Sequence, residues 1–140
     1  MTADERGSLK HRDLTDSILR CFYEVYNELG SGFLESVCER AMTLALNQSG
    51  LAASPQQDVT VHFRGTPVGT FRTDIVVAGK VVIELKAAKA PDRAHEAQLL
   101  NFLKATDYEV GLLLNFGPRP EFKRIAFANE RKQSLGQRNA

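Results

Sequence analysis

Asp74, Glu84 and Lys86 are the residues of this 140-residue chain whose types and spacing could do chemistry. Two apolar, β-branched runs flank Ala78-Gly79-Lys80, a pattern that predicts a hairpin. With those three residues as the loop, Asp74 lies opposite Glu84. Lys86, two residues on, leaves the same face of the sheet. Val76 and Val82 share that face, while Thr73, Ile75, Val77, Val81, Ile83 and Leu85 take the other. Facing carboxylates repel by up to ~1 kcal/mol as a cross-strand pair, and desolvation raises the cost. A divalent cation between them removes it. Mg2+ takes hard oxygen ligands and keeps several waters, so one or two carboxylates suffice to hold it. The chemistry served by such a set is metal-assisted hydrolysis of a phosphodiester, with Lys86 orienting the attacking water or stabilising the charged transition state. Glu-x-Lys is also a common ion-pair pattern on exposed strands, and spacing alone leaves both readings open.

Elements on both sides must position these groups. Asp13 reads as an N-cap for a helix carrying Leu14, Ile18, Phe22, Val25 and Leu29 at helical spacing, stopped by Gly30-Ser31-Gly32. A second helix starts near Phe33 and ends at Gly50, with Glu35 in its first turn. Glu35 is either a dipole-favoured exposed acid or a third carboxylate reaching the hairpin. Asp58 to Arg64 alternates as a strand, and Val68 to Val77 forms the first hairpin arm. A helix follows from about Pro91 to Thr106, with Pro91 near its first position and His95 or Ala94, Gln98, Leu99, Phe102 and Leu103 turned inward. Val110 to Phe116 is a buried strand. The strand, helix and strand make a βαβ crossover, which sets the last strand parallel to the one bearing Glu84. Phe122 to about Ala128 reads as a short final strand. The order ααβββαβ describes one α/β domain with a mixed central sheet flanked by helices. Its expected bounds are 13–128, between a polar arm at 1–12 and a polar, frayed tail at 129–140.

Composition excludes more than it selects. A formal net charge of +1 gives no bulk sign of a nucleic-acid partner. The apolar runs are too short to span a bilayer, and the N-terminus has no signal-peptide core, so a cytoplasmic protein off the membrane is expected. Cys21 and Cys38 have neither zinc spacing nor a disulfide framework and are expected as buried, reduced thiols in helices. Gly30 to Gly32 lacks the Lys-Ser/Thr ending of a phosphate-binding loop. His11, His62 and His95 are read as arm, strand-surface and helix-surface residues. Arg72 either meets a phosphate or pairs with an acidic neighbour; Lys89, Lys123 and Arg124 could add phosphate contacts but are read first as solvated charge.

From Leu14 to Ile125 the chain resembles the PD-(D/E)xK nuclease superfamily, and within it the small bacterial group of GxxExxxY proteins. The resemblance rests on Leu29-Gly30-Ser31-Gly32-Phe33-Leu34-Glu35-Ser36-Val37, on Arg72-Thr73-Asp74 and on Val82-Ile83-Glu84-Leu85-Lys86-Ala87. It rests also on the runs His95 to Thr106 and Val110 to Gly117. It implies a restriction-endonuclease-like core and Mg2+ or Mn2+ held by Asp74, Glu84 and Glu35. It further implies Lys86 assisting the water and Gln98, as in the RecB-like branch, positioning water or phosphate. The implied activity is a metal-dependent endonuclease acting on nucleic acid, DNA by expectation, as a homodimer where two strands are cut. Two positions depart from the pattern: Cys38 stands where the group carries a tyrosine, and Phe102 where the RecB-like branch does. The alternative those departures open is a catalytically weak or inactive nuclease-fold protein that binds nucleic acid or acts as a dimeric interaction module.

Overall fold

The computed structural model describes residues 10–135; the first nine residues of the expected arm and the last five of the expected tail lie outside them. The elements are α1 (Arg12–Leu29), α2 (Glu35–Gln48), β1 (Ala53–Phe63), β2 (Thr66–Val77), β3 (Val81–Lys86), α3 (Arg93–Ala105), β4 (Val110–Phe116) and β5 (Pro120–Ala126). A 3-10 helix, Asn129–Leu135, follows. The five strands form one mixed sheet in the order β1-β2-β3-β4-β5. All neighbours are antiparallel except β3 and β4, which the α3 crossover makes parallel. The expected α/β architecture, with β3 at the centre, is the observed one.

Two apolar layers sandwich the sheet. On one face Ile75, Val77, Val81, Ile83 and Leu85 pack with Leu112 and Leu114 against Ile18, Phe22, Cys38, Met42 and Leu46 of α1 and α2. On the other, Val82 and Leu113 pack against Leu99, Phe102 and Leu103 of α3. Burial on both faces explains why β3 and β4 read as nearly continuous apolar runs. Gly111 in β4 lets α3 settle close: a Cβ there would lie 2.9 Å from a Leu99 methyl. Cys21 and Cys38 are free and buried.

The hairpin loop is Ala78 to Lys80, as expected. Ala78 (φ 54°) and Gly79 (φ 64°) are both left-handed, and Lys80 N–H donates to Val77 O at 2.9 Å. That geometry matches the right-handed twist of the flanking strands.

Boundaries differ where local signals mislead. His11, in the left-handed region, occupies the position before α1 with no side-chain cap, and Asp13 lies inside the first turn. There its charge favours the helix dipole. Asp92 caps α3 by accepting from Ala94 N–H at 2.8 Å, which puts Pro91 outside the helix. β1 begins five residues before Asp58, because Ala53, Ser54 and Pro55 pair with Val77, Val76 and Ile75. The far halves of β1 and β2 have no further strand beside them and run out as a two-stranded arm. Phe63 and Val68 near its tip are 59% and 60% exposed. His62, expected on the surface, is half-buried. Phe71 turns back from the arm to stack on Phe102, ring centres 4.4 Å apart.

The segment after β5 is not frayed over its described residues. Lys132 is buried, and its ammonium donates to Thr106 O at 2.8 Å and Tyr108 O at 2.7 Å. Asn129 N–H donates to the Glu109 carboxylate at 2.8 Å. A buried ammonium is tolerated only when so satisfied. Replacing Lys132 with alanine strips the donors from two carbonyls and empties the space of the stem. It is expected to destabilise the protein by about 2–4 kcal/mol in urea unfolding.

Candidate active site

The β2–β3 ladder ends at Ile75 opposite Ile83. One step further the register sets Asp74 against Glu84. Beyond it the strands part, and the Asp74 carboxylate stands in for the missing strand: Leu85 N–H donates to Asp74 Oδ2 at 2.7 Å. On its other side β3 stays paired, Glu84 with Leu113 and Lys86 with Asn115. Glu84 is thus carried by a rigid strand while a side chain, rather than a backbone, faces it across the gap.

The electrostatics follow from that geometry. Glu84 Oε1 is buried and accepts no hydrogen bond. Burial foremost, then the charges of Asp74 and Glu39, push the Glu84 carboxyl up to about 8, against the pull of Lys86 and the Asp74 backbone N–H. Asp74 is also raised, by burial first and by Glu35; the Leu85 N–H and Lys86 oppose the rise. An orphaned buried carboxylate oxygen binds either a proton or a cation. Two carboxylates with one free oxygen fit a hard divalent ion such as Mg2+ or Mn2+. Among the described residues, no three His, Cys, Asp or Glu side chains converge as a metal-holding group.

α2 brings two further acids to this end of the sheet. Glu35 is exposed and its Oε1 accepts from Ala87 N–H at 3.3 Å, one residue past Lys86. Glu39, one turn on, is half-buried; burial first and the charge of Asp74 next raise its pKa. Glu39 was not among the expected residues. Its signal is the i,i+4 spacing from Glu35, which puts both acids on one helix face.

The segment after Lys86 is clamped by residues that look like ordinary strand-end chemistry. Asn115 Oδ1 accepts from Ala88 N–H at 2.9 Å, and its Nδ2 donates to Ala88 O at 3.0 Å. Gly117 makes room, since a Cβ there would lie 2.2 Å from Ala88 O. Tyr26 donates its hydroxyl proton to Gly117 O at 2.6 Å, tying α1 to the same turn.

Other expected residues lie elsewhere. Gln98 is exposed rather than inward: the buried stripe of α3 is Leu99, Phe102 and Leu103, and Gln98 falls at its rim. Among the described residues it makes no hydrogen bond to the carboxylates. Phe102 sits in an aromatic stack between Phe71 and Tyr108, 5.9 Å from the latter. Cys38 belongs to the α1–α2 core, where burial raises its thiol pKa. Arg72 pairs with Asp58 across β1 and β2 at 2.8 Å and is not at the site.

Two antiparallel strands ending in facing acids, a Glu-x-Lys on the second and a crossover helix after it define a nuclease-type core. The chain belongs to the PD-(D/E)XK nuclease superfamily, whose family model matches residues 12–125. Among solved structures it is similar to that of SSO0001, at 18% identity and a TM-score of 0.50, over 73% of this chain. It spans 54% of that chain, and the likeness concerns the fold alone. No curated protein matches it.

Glu84 binds its proton more tightly in the folded than in the unfolded chain. The stability this contributes is therefore complete below its ordinary pKa of 4.5 and is lost as pH rises toward about 8. In chelator, the melting temperature is expected to fall across that window, the loss being on the order of 3–5 kcal/mol. Glu84→Gln, which stays neutral, should flatten the fall. Gly117→Ala must displace the Ala88 backbone and is expected to destabilise the fold by about 1–3 kcal/mol in the same melts.

Proposed function

We propose that the protein is a metal-dependent nuclease that hydrolyses phosphodiester bonds, DNA being the expected substrate. The observation carrying this reading is the buried, unpartnered Glu84 Oε1 beside Asp74. Asp74 and Glu84 would hold Mg2+ or Mn2+, with Glu35 as the expected third carboxylate and Glu39 beside it. That cation would supply a lowered water pKa and neutralise charge on the scissile phosphate. Lys86, on the same strand face as Glu84, orients the attacking water and balances the two acids. Asp74 keeps its carboxylate aimed by its bond to Leu85 N–H. Gln98, exposed at the rim of α3, would reach a bound phosphate only from the solvent side.

We assign the chain to the GxxExxxY group and the RecB-like branch on the runs around Glu35 and Gln98. A reducing compartment, the cytoplasm, suits its two buried free thiols. A homodimer is part of the proposal where both strands are cut; Phe33, Leu34 and Val37 expose apolar surface next to Glu35. The second reading, a binding module with little turnover, is favoured by Phe102, whose place in an aromatic stack leaves no hydroxyl for substrate.

Mn2+ is expected to raise the melting temperature at neutral pH, an effect absent in Glu84→Ala. Linear, nicked and single-stranded DNA incubated in Mn2+ should be cut by the parent. Glu84→Ala and Lys86→Ala should each lose at least about a hundredfold in rate. Cutting by Glu84→Ala at the parent rate would end the nuclease reading. A melt raised by Mn2+ with every substrate intact would select the binding module.

A further inference from the structure

Among the described residues, a concentration of positive charge lies between α3 and β5. A groove of about 630 Å³ runs between α3 and β5. Arg93, Lys104, Lys123, Arg124 and Arg131 line it, against the single carboxylate of Glu96. Arg124 is directed elsewhere, since its guanidinium donates to Thr15 Oγ1 and to Lys10 O on the α1 side. Lys104 and Arg131 are gathered at one wall by the ring of Phe127, their charged groups 5.5 Å and 4.4 Å from its centre. Arg93 and Lys123 are exposed, and among the described residues neither has an ion-pair partner. A chain of net charge +1 therefore holds a local field that its bulk composition conceals.

The strand register connects this groove to the candidate site. Glu84 pairs with Leu113, and Leu113 pairs with Lys123. Glu84 and Lys123 thus share one row across the sheet, two strands or ~10 Å apart. Ile125, two residues on, and Phe127 join the apolar layer on the α3 face, which also holds Val82, two residues before Glu84. Alternation puts Glu84 and Lys123 on that face together, with Leu113, buried against α3, between them. Arg93 opens α3, the element that follows β3 directly. The long β1–β2 arm offers no comparable surface: Arg72 is paired with Asp58, and Arg64 lies over the Phe63 ring at 4.9 Å.

We propose that the α3–β5 groove is the track for the substrate strand: it holds the phosphates of one nucleic-acid strand, with Arg93 and Lys123 as direct contacts, and leads that strand to Asp74 and Glu84. The occupant is polyanionic and phosphate-bearing because the groove offers charge in a row rather than a pocket for one group. Such contacts fix the strand's path and carry no sequence information. The assignment rests on the nuclease reading for its direction but not for its binding.

The test measures binding of a short fluorescein-labelled single-stranded oligodeoxynucleotide by anisotropy, over a range of salt. It uses the full chain carrying Glu84→Gln, in chelator, so that no cutting intervenes. Adding Arg93→Glu and Lys123→Glu is expected to weaken binding at low salt at least tenfold. The slope of log affinity against log salt should fall by roughly 1–2. Lys123→Arg should bind like its parent, and unchanged melts would confirm that these exposed substitutions leave the fold intact. Arg64→Glu, at the arm tip, should have no effect. Unaltered affinity and slope in the double variant overturn the groove assignment even if the parent cuts DNA. An equal loss with Arg64→Glu overturns it too, as does stronger capture of polyglutamate than of the oligonucleotide, which would make the groove an acidic-peptide site. Loss of binding in the double variant, with a parent that cuts nothing, upholds the groove and removes the nuclease reading alone.

Discussion

The bond from Leu85 N–H to the Asp74 carboxylate is the contact on which the rest of the site depends. It forms where β2 leaves β3, and it does what a neighbouring strand's carbonyl would do. A side-chain acceptor in that place satisfies the backbone and brings a charge with it. Next to that parting, Glu84 Oε1 is buried without a donor. Two half-buried acids thus face each other where solvent screens their repulsion only in part. The fold tolerates this because β3 is anchored elsewhere, along β4 and by both apolar layers. What the arrangement lacks is positive charge, and Lys86 alone does not supply enough to bring Glu84 back to an ordinary pKa.

The surrounding structure keeps this imbalance from relaxing. Asn115 brackets Ala88 with two hydrogen bonds, and Gly117 allows that approach. These contacts hold the chain after Lys86 against β4. From the other layer, Glu35 takes the Ala87 N–H while Glu39 adds more negative charge to the same end of the sheet. A scaffold built only for stability would place cations here. This one holds several acids instead, at a cost to its own stability, and a bound cation would offset that cost.

Much of this was legible in the chain. Period-two alternation and the Ala78-Gly79-Lys80 loop gave the register that sets Asp74 against Glu84, because side-chain facing in a hairpin follows from loop length alone. Val110 to Phe116 was bounded correctly because a run that apolar, closed by Gly117-Pro118, has few other conformations. Gln98 was misplaced because helical periodicity locates a face to within about one residue, and the rim of a buried stripe reads like its centre. Glu39 was missed because the i,i+4 spacing from Glu35 shows a shared helix face but not that this face meets a strand distant in sequence. Lys132 was assigned to a frayed tail since nothing local reveals that Thr106 and Tyr108 would present it two bare carbonyls. The groove was invisible for the same reason: Arg93, Lys123 and Arg131 are scattered in sequence and become a row only through the crossover.

The proposed nuclease activity requires a cation in the space beside Glu84 Oε1. Anomalous diffraction from crystals soaked in Mn2+ tests it most directly. The expected result is a Mn2+ peak beside Asp74 and Glu84, within reach of Glu84 Oε1. Saturating Mn2+ with no peak there, and Glu84 Oε1 instead paired with Lys86, would contradict it and leave the hairpin acids a structural ion pair.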